Sequence, residues 1–139
     1  MLKLSLSQAK GEGMDKSVEQ FFVKTYIDKD YQERLLFELN SIKKRSKALS
    51  RFSHDAETVL KKGLDKRIIT DLSELHENDK AVYVISWDEN DGMYIPFEDA
   101  MRYCENTYTS VILTGKSFSL IKEEAETGKP KIFYLKVRL

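Results

Sequence analysis

The sequence predicts an α+β fold, in which a helical N-terminal half is followed by a mainly antiparallel sheet with one inserted helix. Apolar residues recur at helical spacing through the first half, whereas short runs rich in Val, Ile and Tyr begin near residue 81. Because 139 residues suffice for one hydrophobic core, we expect a single domain over residues 1–139. Its helical part is expected at about 14–78 and its sheet part at about 80–139.

The N-terminal half predicts three amphipathic helices. The first is expected over residues 15–26, with Asp15 as its N-cap, because apolar side chains fall near helical spacing there. The second and longer helix is expected over residues 30–49, where apolar side chains form one stripe. Helix-neutral residues at 50–53 would end it, and a third helix would follow over residues 55–63 and stop at a glycine.

Two further segments carry weaker patterns. Residues 65–78 have apolar positions spaced for one or two turns of a buried helix, and we favour a helix there. Residues 2–6 alternate between Leu and polar residues, which is typical of a short edge strand.

The C-terminal half predicts a sheet. Residues 81–87 and 93–97 are expected to pair as a hairpin, because the intervening residues 88–92 have turn chemistry and place Gly92 where a positive φ is needed. Pro96 puts the second of these strands at a sheet edge or marks its end, since proline cannot donate to a central ladder.

The rest of the sheet follows the inserted helix, which is expected over residues 98–108. Strands are expected at 111–113, 118–121 and 131–139, and alternation in the last predicts one buried face. Residues 117–129 fit either a helix or a hairpin, and both remain open.

The strongest charge signal lies in residues 41–67, which carry nine basic side chains against three acidic ones in a chain of zero net charge. Helical spacing projects several of these cations from one side, where they suit phosphates or an acidic partner. A solvated helix end is the simpler alternative. The predicted binding residues are Lys43, Lys44, Arg45, Lys47, Arg51, Lys61 and Lys62.

Carboxylates dominate residues 71–109, where ten acidic side chains face two basic ones. They either solvate turns and helix N-termini or dock on a basic partner. The residues of this alternative acidic face are Asp88, Glu89, Asp91, Glu98 and Asp99.

No segment carries a complete cofactor or metal motif. Residues 114–117, Thr-Gly-Lys-Ser, match the end of a phosphate-binding loop, but Ser110 stands where that loop requires glycine. An ordinary turn with Gly115 at positive φ is therefore predicted. The acidic turn at 88–92 is out of register for a calcium loop, so we expect neither a metal nor a cofactor.

Cysteine and histidine give no clear catalytic pattern. Cys104 is the only cysteine, which excludes an internal disulfide and fits a reducing compartment. A nucleophilic Cys104 would need His54 or His76 beside it, and His54 next to Asp55 would suit general-base work, but the spacing favours neither arrangement. A small buried apolar role for Cys104 is predicted.

These observations give three functional hypotheses. The leading one is a small intracellular, non-enzymatic regulatory or inhibitory protein that binds another protein through a charged face. The alternative is a nucleic-acid-binding protein that uses the basic stretch from Lys43 to Arg67, and an enzyme with a Cys or His active site has the least support.

The expected compartment is the cytoplasm. The apolar runs are far shorter than the roughly 20 residues of a membrane-spanning helix, and residues 1–6 lack the apolar segment of a secretory signal. We therefore expect no membrane partner, and the sequence predicts no oligomeric state.

Overall fold

The computed structural model describes residues 15–124 and 130–137. Within them the helices are α1 (Lys16–Tyr26), α2 (Lys29–Leu39), α3 (Arg45–Ser53), α4 (Ala56–Val59) and α5 (Phe97–Asn106). The strands are β1 (Asp65–Ile69), β2 (Ala81–Ile85), β3 (Tyr94–Pro96), β4 (Val111–Thr114), β5 (Phe118–Lys122) and β6 (Ile132–Lys136), and a 3-10 turn covers Leu72–Glu74. The predicted α+β architecture, with one helix inserted between strands, is confirmed.

The described strands form one antiparallel sheet in the order β1-β6-β5-β4-β2-β3. β6 lies between β5 and β1, so among the described strands β1 is at the edge and pairs with β6 alone. β3 forms the other edge, where the missing N–H of Pro96 is tolerated, as predicted.

Both faces of the sheet are covered. On one face α1–α4 pack against Tyr83, Ile112 and Phe133, and on the other α5 and the 3-10 turn pack against side chains such as Leu120. The prediction of one buried face for the last strand is wrong, because residues 132–135 are all buried. Apolar side chains are needed on both sides of β6 because helices and turns cover its neighbours on both sides.

The helical half differs from the prediction after α1, whose Asp15 cap is confirmed. The chain turns at residues 40–44 instead of continuing one helix to residue 49. The helix end predicted at 50–53 agrees with the structure, because α3 runs to Ser53 and α4 begins at Ala56. The hydroxyl groups of Ser50 and Ser53 donate to carbonyl groups four residues earlier in α3. α4 is a single turn that ends at Val59, short of the predicted residue 63.

The helix favoured for residues 65–78 is also wrong. Residues 65–69 form β1, in which Ile68 faces Phe133 and Ile69 faces Ile132 of β6. Adjacent β-branched residues suit a strand, which sends their side chains to opposite faces. The sheet therefore starts at residue 65, before the predicted position.

The two predicted glycine turns have different outcomes. Gly92 has φ 80° and donates to the Val84 carbonyl at 2.7 Å, so the hairpin is confirmed. Gly115 is not at positive φ, which in the described residues occurs only at Gly63 and Gly92. A Cβ at Gly115 would lie 2.9 Å from Cγ of Asp79, so close packing is what requires glycine there.

Residues 117–129, for which the sequence allows either a helix or a hairpin, begin with a strand. Residues 118–122 form β5, antiparallel to both β4 and β6. Residues 125–129, and the edge strand predicted for residues 2–6, lie outside the described residues.

The turn at Gly92 gives a stability prediction. Gly92→Val should lower the free energy of unfolding by about 1 kcal/mol or more, because a β-branched residue resists positive φ. Gly92→Asn is the matched control and should cost less, since Asn adopts this conformation more readily. Urea unfolding of both variants is the measurement, and equal stability of the Val variant and the parent would contradict the assignment.

Candidate functional site

Arg45 lies at the centre of a buried ionic network. Its Nε and Nη2 donate to Asp91 at 2.8 and 3.0 Å, and its Nη1 and Nη2 donate to Glu19 at 2.8 and 2.5 Å. The second N–H of Nη1 donates to the Leu39 carbonyl at 2.9 Å, so every N–H donor of the guanidinium is used. Burial opposes the charge, but the hydrogen bonds and charges of Glu19 and Asp91 outweigh burial and raise the pKa of Arg45.

Neighbouring donors offset the excess negative charge of the two carboxylates. The Tyr83 hydroxyl donates to Glu19 Oε2 at 2.5 Å, and the Ser86 N–H donates to Asp91 Oδ1 at 3.1 Å. Burial and the nearby Glu19 charge raise the pKa of Tyr83, so its hydroxyl remains a donor. Arg45 and Asp91, both predicted binding residues, are therefore bound to each other inside the protein.

The other predicted basic residues fall into different surroundings. Arg51 donates to both carboxylate oxygens of the buried Glu38, each at 2.9 Å. Lys61 and Lys62 follow α4 and line a separate depression of about 290 Å³. Three predicted cations on the 40–44 turn and α3 are exposed and form no ion pair with any described residue. They are Lys43, Lys44 and Lys47.

Most of the predicted acidic face is engaged with other residues. Asp88 accepts hydrogen bonds from the Tyr103 hydroxyl at 2.6 Å and from the Asn90 N–H at 2.9 Å, which anchors the hairpin turn to α5. Asp99 forms an ion pair with Arg102 one helical turn later. Two acidic residues of this face, Glu89 and Glu98, are exposed and form no ion pair with any described residue.

Large apolar side chains stand exposed on or near the 40–44 turn. Phe37 is 59% exposed, and Lys44 Nζ lies 4.8 Å from its ring centre in cation–π geometry. Ile42, 67% exposed, and Trp87, 42% exposed, line one depression of about 190 Å³ with Ser46 of α3. We call this set the basic–apolar surface: Phe37, Ile42, Lys43, Lys44, Lys47 and Trp87.

In the sequence Trp87 lies within the acidic residues 71–109, away from the basic residues 41–67. The structure brings it to α3, because the Arg45–Asp91 pair joins the hairpin turn to that helix. A signal for this contact was present in the sequence. Arg45 lies three and four residues before the buried Ala48 and Leu49, on the inward face of the helix, where a cation needs a buried acidic partner.

The candidate catalytic residues do not form a recognisable catalytic group. His54 Nε2 lies 3.6 Å from Glu124 Oε2, whereas Asp55 accepts a hydrogen bond from the Thr58 hydroxyl. Cys104 is fully buried, and burial raises the pKa of its thiol to about 11. A thiol of this kind is almost entirely protonated at neutral pH and is a poor nucleophile.

The network around Arg45 predicts a large loss of stability on substitution. Arg45→Met should lower the free energy of unfolding by about 3–5 kcal/mol, because it leaves two buried carboxylates without their cation. Lys47→Met on the exposed side of the same helix is the control and should change it by less than about 0.5 kcal/mol. Urea unfolding followed by circular dichroism is the measurement, and similar values for the two variants would contradict the network.

The buried thiol predicts slow alkylation. At pH 8 the native chain should react with iodoacetamide far more slowly than the urea-unfolded chain, because the pKa of Cys104 is raised and the sulfur is covered. Mass spectrometry over time gives the two rates. Modification of the native chain at the unfolded rate would mean that Cys104 is accessible and would revive a role as nucleophile.

No family model matches this chain, and it matches neither a curated protein nor a solved structure. In the described ranges 15–124 and 130–137, no helix has both the length and the apolar character to cross a membrane. The same ranges contain no group of three or more His, Cys, Asp or Glu side chains that could hold a metal ion. We therefore infer function from the geometry of this chain alone.

Proposed function

We propose that this chain is a non-enzymatic regulatory or inhibitory protein that binds another protein through the basic–apolar surface. Three exposed apolar side chains carry the proposal: Phe37, which Lys44 contacts, and Ile42 and Trp87, which border one depression. Aromatic side chains are enriched at protein interfaces, and a Trp next to a small depression is a typical binding hot spot.

The chemistry of this surface defines the partner. Lys43, Lys44 and Lys47 favour an acidic partner, whose charge would steer the encounter and raise the association rate. Ile42 and Trp87 border a depression of about 190 Å³, which suits one apolar anchor side chain from that partner. The partner is therefore an acidic protein surface with an exposed apolar residue near its centre.

A nucleic acid is the second candidate, and one observation favours it. Phe37 lies against the Lys44 ammonium group and Trp87 offers a second exposed ring, as a base-stacking surface with phosphate contacts requires. Glu89 counts against this candidate, because its exposed carboxylate is two residues from Trp87 and would repel a phosphate backbone. A partner protein can place a polar or basic group opposite that carboxylate.

The proposal predicts how binding responds to charge removal. Replacing Lys43, Lys44 and Lys47 together by Gln keeps side-chain length and should leave the fold intact, because none of the three forms an ion pair with another described residue. For a protein recovered from host lysate on the parent chain, the association rate should fall about tenfold. Stopped-flow fluorescence gives this rate, since Trp87 is the only tryptophan and lies on the surface itself.

The matched control replaces Lys16, Lys24 and Lys29 by Gln, which removes the same charge from exposed positions of α1 and α2. It should bind like the parent, and equal weakening by both triple variants would refute this surface as the site. An electrophoretic mobility shift with a single-stranded oligonucleotide at two salt concentrations tests the second candidate. Binding there, with a salt slope shallower by up to about 3 in the Lys43, Lys44 and Lys47 variant, would establish nucleic acid instead.

A further inference from the structure

A second site lies away from the basic–apolar surface, in a cleft of about 770 Å³ between α1, β3 and the turn from β4 to β5. Its α1 wall contains Val18 and Phe21, its β3 wall contains Tyr94, and the turn contributes Thr114 and Lys116. The volume falls within the range of small-molecule sites in proteins. We call it the α1–β3 cleft.

One end of the α1–β3 cleft is apolar. Phe21 is 43% exposed and Tyr94 is 51% exposed, although both rings have the size of core residues. Val18 is half-buried beside them and also packs on the helical core, so this wall is held by the interior of the protein. An apolar ligand would remove both rings from water at little cost in conformational entropy, because the wall is already formed.

The other end is polar and carries two cations. Lys80 and Lys116 line the cleft, are exposed, and form no ion pair with any residue that the structure describes. The Asp79 carboxylate also lines the cleft and accepts hydrogen bonds from the Lys116 N–H and the Ser117 hydroxyl, each at 2.8 Å. Two lysine charges against this one carboxylate leave the cleft with a net positive charge, which favours an anionic ligand.

We propose that the α1–β3 cleft binds an amphiphilic carboxylate, with its apolar body against Phe21 and Tyr94 and its carboxylate between Lys80 and Lys116. Charge complementarity at the polar end and the two exposed rings at the apolar end select this class of ligand. The proposal is independent of the basic–apolar surface, because none of its residues belongs to that surface. It adds a small-molecule site to a protein-binding one.

The test uses laurate, with dodecanol and dodecylamine as ligands of the same chain length and different head groups. Isothermal titration of the full chain below the micelle concentration should give saturable binding of laurate, and about tenfold weaker binding of the neutral and cationic ligands. Lys80→Gln with Lys116→Gln should weaken laurate binding by about tenfold and leave dodecanol binding unchanged. Phe21→Ser should weaken the binding of laurate and dodecanol alike, since Phe21 is exposed and its loss spares the core.

The Lys43, Lys44 and Lys47 triple variant is the control and should bind laurate like the parent, which separates this site from the proposed protein-binding surface. Absence of saturable laurate binding, or equal affinity of the parent and the Lys80 and Lys116 double variant, would overturn the proposal. Sedimentation analysis tests whether a second copy of the chain occupies the cleft instead. A dimer that dissociates on Tyr94→Ser would assign the cleft to a second copy of the chain, and the proposal would then be wrong.

Discussion

One buried guanidinium holds four parts of this protein in register. Arg45 begins α3, Glu19 belongs to α1, Leu39 ends α2, and Asp91 lies in the β2–β3 turn, so its hydrogen bonds connect three helices to the sheet. Removing these charges from water is costly, and an apolar replacement of the whole group could match its stability. An apolar group would not fix the positions of its neighbours in the same way. Each N–H of the planar guanidinium donates in a fixed direction, so its partner must lie in one place.

The elements that sequence reasoning predicted well are those defined by neighbouring residues. Asp15 accepts the Val18 N–H at 3.2 Å, as expected of an N-cap, and the turn that ends at Gly92 closes the predicted hairpin between β2 and β3. α5 follows from acids in its first turn and from apolar residues at helical spacing. In each case the physical cause lies within about ten residues of its effect.

The errors arise where distant residues decide the structure. β1 looked helical because Ile68 and Ile69 fit two periods, and its pairing with β6 settles the choice from more than sixty positions away. The turn at residues 40–44 contains no glycine or proline that would mark it in the sequence. It places Arg45 at the start of α3, where the guanidinium contacts Glu19 and Asp91. The candidate surface is only partly visible in the sequence for the same reason, since Ile42 and the lysines are neighbours in the chain, whereas Trp87 meets Ile42 only through the fold.

The position of β6 has a consequence for how the chain acquires its fold during synthesis. β1 is translated long before residues 132–136, which are its only partner among the described strands. α1–α4 can associate with one another early, but the strand face they cover stays incomplete, because Phe133 and Leu135 arrive with β6. From residue 69 until β6 is made, the nascent chain thus carries β1 without this partner and an incompletely covered apolar face, which is the condition in which chaperones bind.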